Sequence, residues 1–528
     1  MPDATRRPAA ANDLYLLLLT AIVALALLSF LMFFRRAGWT GGRPADRLFL
    51  FSAAGLRGPV ERIVDDYRRR YGIEVQVQYG ASNTLLSQLE IAPAGDLYLA
   101  ADEAYLRQAR QKGLTAEVLP IACMCPVLVV RKGNVKQIVG IEDLLRPDVR
   151  VSLANPDAAA IGRAARELLE KSGQWERLAS QVTRTGVFKP TVTDVANDVK
   201  LGSVDAGIVW DATAAQYPEE LAAIPAPELS AGKASVEVAV LRSARHPTAA
   251  LRFARFLSAR DAGLEVFRQL GFEVVEGDVW EESPELTFFA GSVNRRALEP
   301  IVAEFARREG VTVTTVYNGC GVLTAQMRAI RKKGGSGFPD VYMACDVYYL
   351  ETVKDWFQEG VHVSDTEIVI AVQRGNPKSI RELKDLARPG IRLAIGQPEQ
   401  CTIGVLTRNL LEQEGLYQVL LQGNVVTQTA TSALLVPSVT TGAADASLAY
   451  ATDTLAERHR VDVVRIDSPL AKAIQPFSIA RSSNRKHLAR RLLERIARSR
   501  GAFEAAGFHF RIPPGVPEAA AGKQVSRP

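Results

Sequence analysis

Two polar turns, about 240 residues apart, carry groups that could bind a small anion. The first, Gly80–Thr84, consists of small residues and leads directly into a helical pattern that contains Ser82. The second lies in the stretch Tyr317–Asp346 and has Cys320 in the corresponding place. Because the first turn of a helix has free N–H groups and a partial positive charge, such a turn can hold an oxyanion without a counter-charge.

Further turns in the first half of the chain have the same character. Ser52–Gly58, Asn155–Gly162 and Thr191–Asp194 each run from a predicted strand into a predicted helix. In open α/β sheets, ligands bind at the carboxyl ends of strands, where such turns converge. A single Ser or Thr at a helix start is more commonly a cap. The interpretation as a binding site therefore depends on the complete set, which recurs in the second half of the chain.

The elements that must position these turns alternate between strand and helix, and the pattern occurs twice. RPDVRVSLANPDAAAIG at 146–162 corresponds to RPGIRLAIGQPEQCTIG at 388–404, a shift of 242 residues. DLYLAAD at 96–102 corresponds to DVYMACD at 340–346, a shift of 244 residues. A nearly constant shift indicates tandem duplication, and strand–helix alternation indicates parallel βαβ units. We therefore predict two α/β modules, at 47–280 and 284–512.

Composition limits the functions open to this 528-residue chain. It is 47% hydrophobic and 23% charged, as in an ordinary globular protein. Its net charge of +6 is too small to indicate a nucleic-acid partner. Five scattered cysteines do not form a disulfide framework, and Cys123 and Cys125 lie closer together than zinc ligands do. The sequence therefore indicates neither a metal nor a cofactor.

The run Leu14–Phe34 predicts a membrane anchor. It is uncharged over 21 residues and would form a helix about 31 Å long, the thickness of a hydrocarbon core. No small-residue cleavage pattern follows it, which favours an anchor over a signal peptide. Arginine pairs flank both ends, so charge does not set its orientation. We predict a tail at 1–13, the anchor at 14–34, a linker at 35–46 and a disordered tail at 513–528.

Both copies resemble a known family of proteins. FSAAGL at 51–56, GASNTL at 80–85, ANPDAAAIG at 154–162 and DAGIVW at 205–210 are similar to the molybdate-binding periplasmic proteins, which are type-2 substrate-binding proteins of ABC importers. The resemblance implies two α/β lobes with a hinge in each module, closing on an oxyanion. Together with the predicted anchor at 14–34, it implies a receptor that is tethered to the cytoplasmic membrane and has both modules outside it. The implied partners are a molybdate- or tungstate-like oxyanion and an ABC transporter permease.

The resemblance also assigns ligand contacts, position by position. In the first copy they fall on Gly55, Ser82, Ile161, Val192, Thr193 and Trp210. In the second copy they fall on Ser292, Val293, Cys320, Ile403, Ser432 and Tyr450. Ser82 and Tyr450 match the family, whereas Gly55, Val293 and Cys320 stand where the family has Ser. The anion therefore stays open among molybdate, tungstate, sulfate, phosphate and a small organic anion.

Three cysteines of the second copy, Cys320, Cys345 and Cys401, follow strands that are expected to face the cleft. They could form a soft-metal site or a redox-sensitive lid, or simply replace Ser and Ala as small residues. Because Val293 and Cys320 replace two serines in the second copy, the alternative function is a non-transport sensor or scaffold in which one module is degenerate. The five histidines lie outside the predicted cleft turns, so the sequence shows no catalytic base and indicates a protein that is not an enzyme.

Overall fold

Strands and helices alternate along the computed structural model, which describes residues 47–513. Helix α1 (Arg57–Tyr71) illustrates how the sequence directs this alternation. Val60, Ile63 and Tyr67 recur at helical spacing and are fully buried, so one face of the helix packs on the sheet. Gly72 then ends the helix with a φ of 70°, a left-handed conformation that glycine adopts without a steric cost.

The predicted anchor at 14–34, with the tail and linker around it, lies outside the described residues, as does the segment after residue 513. Between residues 47 and 513, no helix is long and apolar enough to cross a membrane.

The first module contains eleven strands and nine helices between residues 47 and 274. Its strands are β1 Arg47–Ala53, β2 Glu74–Gly80, β3 Leu97–Ala100, β4 Thr115–Met124, β5 Pro126–Arg131, β6 Val151–Ala154, β7 Val187–Lys189, β8 Ala206–Trp210, β9 Leu221–Ile224, β10 Ala234–Leu241 and β11 Glu273–Val274. After α1, its helices are α2 Ser82–Ile91, α3 Glu103–Gln111, α4 Ala160–Lys171, α5 Trp175–Thr185, α6 Val192–Leu201, α7 Asp211–Ala215, α8 Pro247–Leu257 and α9 Gly263–Gln269.

The second module repeats this order between residues 285 and 510. Its strands are β12 Glu285–Gly291, β13 Thr312–Asn318, β14 Val341–Met343, β15 Val361–Gln373, β16 Leu393–Gly396, β17 Val425–Thr429, β18 Ala446–Tyr450, β19 Val461–Arg465, β20 Lys472–Ile479 and β21 His509–Phe510. Its helices are α10 Arg295–Glu309, α11 Cys320–Lys332, α12 Val347–Glu351, α13 Thr402–Gln413, α14 Tyr417–Gly423, α15 Leu435–Thr440, α16 Ala451–Thr454, α17 Lys486–Ala497 and α18 Arg500–Ala505.

Each module has two lobes. In the first module, the first lobe is built on a six-stranded sheet in the order β11-β4-β10-β3-β1-β2, and the second lobe on a five-stranded sheet in the order β7-β6-β8-β5-β9. β1 and β3 are parallel, whereas β10 runs antiparallel to β3. The chain enters the second lobe between β4 and β5 and returns through β10, so two crossings join the lobes at the place of the hinge that the resemblance implies.

In the second module, a single long strand joins the lobes. The first half of β15, from Val361 to Glu367, pairs with β20 in the first lobe. Its second half, from Ile368 to Gln373, pairs with β18 and β19 in the second lobe. The sheets of the two lobes are therefore continuous in this module.

A buried ion triad joins the two modules. Glu309, at the end of α10, accepts hydrogen bonds from Arg491 of α17 over 2.7 and 3.1 Å and from Arg255 of α8 over 3.2 Å. These side chains are at most 9% exposed. Burial alone raises the pKa of Glu309, but the two guanidinium groups outweigh it and hold this pKa below its ordinary value. The triad is therefore ionised, and it ties the first lobe of one module to the first lobe of the other.

Candidate functional site

The strand-to-helix turns of the first module meet at a cavity of about 20 Å³ between its lobes. The starts of α2, α4 and α6 and the turn before α1 all reach this cavity. Its lining is made almost entirely of small or apolar residues, namely Ala53, Ala54, Gly55, Gly80, Ala81, Ser82, Ala101, Ala159, Ala160, Ile161, Thr191, Val192 and Trp210.

Five of the six residues predicted for this module line the cavity: Gly55, Ser82, Ile161, Val192 and Trp210. The sixth, Thr193, is not among the lining residues. Thr191 lines the cavity instead, and its side chain also caps α6 by accepting from the Asp194 amide over 3.2 Å. Sequence reasoning also missed the lining alanines. Their small size next to each predicted contact was the available signal, because a larger side chain would fill so small a space.

The lining donates hydrogen bonds but contains no charged side chain. Ser82 Oγ accepts from the Ala101 amide over 3.3 Å, which leaves the hydroxyl hydrogen for another acceptor. A Cβ on Gly55 would lie 2.8 Å from Val192 Cγ1, so glycine keeps the backbone of the first turn accessible. The helix starts supply the remaining N–H groups and partial positive charge. The arrangement is suited to a small anion.

The lobes of the first module contact each other beside the cavity. Asn83, on α2, donates from its backbone to Ala158 O over 3.1 Å and from its side chain to Asp157 O over 2.7 Å. Asp102 forms an ion pair with Arg163 of α4 and also caps α3. Burial raises the pKa of Asp102, and Arg163 opposes that rise. These contacts hold the cleft closed.

In the second module, three cavity positions have become cysteines. Cys320, Cys345 and Cys401 correspond to Ser82, Ala101 and Ala159 through the shifts of the duplication, and all three are buried. The Sγ atoms of Cys320 and Cys345 lie 3.2 Å apart, and the Cys345 amide donates to the Cys320 sulfur over 3.1 Å. Cys401 instead donates to the Gln397 and Thr429 carbonyl oxygens, over 3.5 and 3.4 Å.

The two paired thiols differ in acidity. Burial raises the pKa of Cys320, but hydrogen bonds from the Cys345 thiol, the Thr402 hydroxyl, the Cys345 amide and the Tyr342 hydroxyl outweigh burial and bring this pKa below its usual range. The hydrogen bond with Cys320 and burial both raise the pKa of Cys345. Cys320, the first residue of α11, is therefore the more acidic thiol of the pair.

Three buried hydroxyls lie near the thiol pair. Those of Tyr342 and Thr402 are close enough to Cys320 for hydrogen bonds to its sulfur, which help to lower its pKa. The Tyr450 hydroxyl is fully buried and has no hydrogen-bond partner in the described part of the chain, and burial, followed by the neighbouring thiols, raises its pKa. Within residues 47–513, no group of three His, Cys, Asp or Glu residues is arranged to hold a metal ion.

The other residues predicted for this module also gather at the cleft. Ser292 Oγ lies 3.4 Å from Ser432 Oγ across the lobes, and Thr431 donates to Ser292 over 3.3 Å. Tyr349 further ties the lobes by donating to Pro398 O over 2.9 Å. Val293 and Ile403 are buried apolar residues. The second cleft is thus closed by hydrogen bonds between the lobes.

Comparison with known proteins identifies the family. The sequence profile of the family described as bacterial extracellular solute-binding protein matches residues 48–273 and again residues 286–509. The chain belongs to this family and carries two tandem copies of its domain. The sequence prediction of two tandem α/β solute-binding modules is confirmed.

Individual relatives have the length of a single module. The molybdate-binding protein ModA of Mycobacterium tuberculosis is 29% identical over 239 residues, which cover 45% of this chain and 87% of that protein. ModA of Escherichia coli is 25% identical over 236 residues, covering 43% of this chain and 89% of that protein. The solved periplasmic molybdate-binding protein of Azotobacter vinelandii is 18% identical with a TM-score of 0.38, covering 43% of this chain and 98% of that one.

Proposed function

We propose that the protein is an extracytoplasmic solute-binding protein that captures a small oxyanion, of the molybdate or tungstate type, between the lobes of its first module. The names of its relatives support this class of ligand. The proposed contacts are the five predicted residues that line the cavity, Gly55, Ser82, Ile161, Val192 and Trp210, together with Thr191.

The observation that carries the proposal is the convergence of helix starts on a small, uncharged cavity. A volume of about 20 Å³ slightly exceeds the roughly 10–15 Å³ that one water molecule needs. A cleft that closes to so small a space excludes a sugar or a peptide, and the lobes must separate slightly to hold an anion with several oxygen atoms. Helix N-termini bind such an anion through N–H groups and need no cationic side chain.

Delivery to an ABC transporter permease is the proposed fate of the captured anion. Membership in a family of extracellular solute-binding proteins supports it, as does the similarity to ModA proteins. The apolar run at 14–34 supports a single-pass tether to the cytoplasmic membrane, with both modules on its outer side.

Isothermal titration calorimetry with molybdate, tungstate, sulfate and phosphate tests the oxyanion proposal. We expect heat from at least one of these anions. Ser82→Ala removes a hydrogen bond to a charged group, so Kd should rise about tenfold, the equivalent of about 1.4 kcal/mol. Ser203→Ala, at an exposed serine in the same module, should leave Kd unchanged.

Two results would contradict the proposal. One is the absence of heat from all four anions. The other is an equal loss of affinity in the Ser82 and Ser203 variants, because the binding would then not involve the first cleft.

A further inference from the structure

We propose that the cleft of the second module binds trivalent arsenic, supplied as arsenite, through the sulfur atoms of Cys320 and Cys345. Three of the five cysteines in the chain lie in the second module at positions equivalent to residues that line the cavity of the first. A need for small residues explains each exchange singly. The duplicated fold places two of these positions side by side, as the hydrogen bond from the Ala101 amide to Ser82 shows in the first module, and only in the second module are both occupied by sulfur, with the two atoms 3.2 Å apart.

The thiol pair has the geometry of a site for one thiophilic atom. Two sulfurs in van der Waals contact can both bond to a single central atom placed between them. Soft thiolates select soft central atoms, whereas molybdate and sulfate present hard oxygen atoms. The second cleft, which has a thiol where the first has a serine hydroxyl, therefore selects a different class of ligand.

The buried Tyr450 hydroxyl supplies a second, independent observation. A buried hydroxyl without a partner costs free energy, and that of Tyr450 has none in the described part of the chain. A disulfide between Cys320 and Cys345 would leave it unsatisfied. An arsenic atom that is bound to both sulfurs keeps one hydroxyl group, which can donate to Tyr450 or accept from it.

The binding step is a condensation that needs no oxidant or reductant. Arsenite is As(OH)₃ in neutral solution. Two S–As bonds form and two As–O bonds break, and each departing hydroxide combines with one thiol proton to leave as water. Arsenic stays trivalent throughout. The lobes must separate to admit arsenite, and hydrogen bonds such as that between Thr431 and Ser292 hold them closed here.

This proposal extends the proposed function to a second ligand, and it does not depend on which anion the first module binds. The variants that test it copy residues of the first module at the same positions, so they are compatible with the fold. They are Cys320→Ser, after Ser82, and Cys345→Ala, after Ala101. Cys401→Ala, after Ala159, and a Cys123→Ser, Cys125→Ser double variant serve as controls.

The test uses the full chain, reduced and then freed of reductant. Native mass spectrometry and thermal unfolding are recorded with sodium arsenite. We expect one arsenic atom per chain and a raised Tm in the wild type and in both controls. Cys320→Ser and Cys345→Ala should each weaken binding about 100-fold or more, because a single thiol loses the advantage of two linked bonds. A small dithiol should remove the arsenic, whereas a monothiol at the same concentration should not.

The proposal is overturned if reduced wild-type protein takes up no arsenic. It is also overturned if the Cys123/Cys125 double variant loses the arsenic, or if Cys401→Ala abolishes binding that Cys320→Ser retains. Calorimetry with the four anions at the first module is read separately, so failure of one proposal is distinguishable from failure of the other.

Discussion

At the scale of single residues, one or two atoms decide what each cleft can accept. The first module has a glycine at position 55, where the second has Val293, and a serine at position 82, where the second has Cys320. Each exchange lies where a strand ends and a helix begins. Each also changes the chemistry presented to a ligand, from N–H and O–H donors to a methyl group or a thiol.

Gly55→Val transfers the residue of the second module into the first. The new Cβ would lie 2.8 Å from Val192 Cγ1, so the side chain would fill the cavity and block the backbone of the first turn. We expect Kd for the oxyanion to rise at least about tenfold while the fold persists, since the second module folds with valine there. Calorimetry measures the change.

Gly140→Val is the matched control, because a Cβ at this glycine meets nothing within 4 Å. Equal affinities of the Gly55 and Gly140 variants would show that the first turn does not contact the anion.

Residue types at the turns could be predicted because a helix start beside a strand end demands small, polar residues. The sequence could not show whether Thr191 or Thr193 lines the cavity. Both are threonines in one turn, and the side chain that faces the cleft depends on how the N-cap of α6 is oriented. The Cys320–Cys345 contact was also beyond sequence reasoning, because a distance between two side chains depends on the packed register of two elements.

At the scale of elements, the two modules close their clefts by different means. In the first, the ion pair of Asp102 and Arg163 joins α3 to α4 across the lobes. In the second, Val405 stands where the first has Arg163, and Asp346 instead accepts from the amides of Tyr348 and Ile474. Closure of the second cleft therefore relies on neutral hydrogen bonds.

Arg163→Gln should weaken anion binding by the first module without altering its lining. Loss of the ion pair lowers the population of the closed conformation, and apparent affinity falls in proportion to that population. We expect Kd to rise about fivefold, the equivalent of about 1 kcal/mol. Titration calorimetry of the variant with the preferred oxyanion gives this value.

Arg166→Gln, on the same helix, removes only an ion pair with the largely exposed Asp157 and should have little effect. If Arg166→Gln weakens binding as much as Arg163→Gln does, closure does not depend on the pair with Asp102.

The order of strands and helices followed from the alternation of apolar segments, and the duplication allowed one copy to be checked against the other. The ion pair between the lobes of the first module could not be predicted from the sequence. Asp102 and Arg163 are 61 residues apart in sequence, and both read as ordinary surface charges at helix starts. The continuity of β15 through both lobes could not be predicted either, because each half of this segment is as long as an average strand.

At the scale of the whole molecule, aromatic packing, hydrogen bonds and ion pairs join the two modules. Trp280 of the connecting segment packs 5.0 Å from Phe256, centroid to centroid, and donates to the Tyr71 hydroxyl over 2.7 Å. Arg308 of the second module forms two hydrogen bonds of 2.8 Å with Glu117 of the first. Together with the triad at Glu309, these contacts fix the orientation of one module to the other.

Glu309→Gln should destabilise the protein strongly, because it leaves two buried guanidinium groups without a counter-charge. The expected loss in the free energy of unfolding is about 3–5 kcal/mol. Glu117→Gln breaks a more exposed ion pair with Arg308 and should cost about 1 kcal/mol or less. Urea unfolding monitored by circular dichroism compares the two variants, and equal costs would contradict the assigned role of the triad.

The junction has a mechanical consequence. The residues that form it belong to the first lobe of each module or to the segment between the modules, so those two lobes behave as one frame. The two second lobes take no part in this junction, so we expect each to move on its own hinge. Closure of one cleft would then not require closure of the other, and the distance between the two cleft entrances would be set by the joined first lobes.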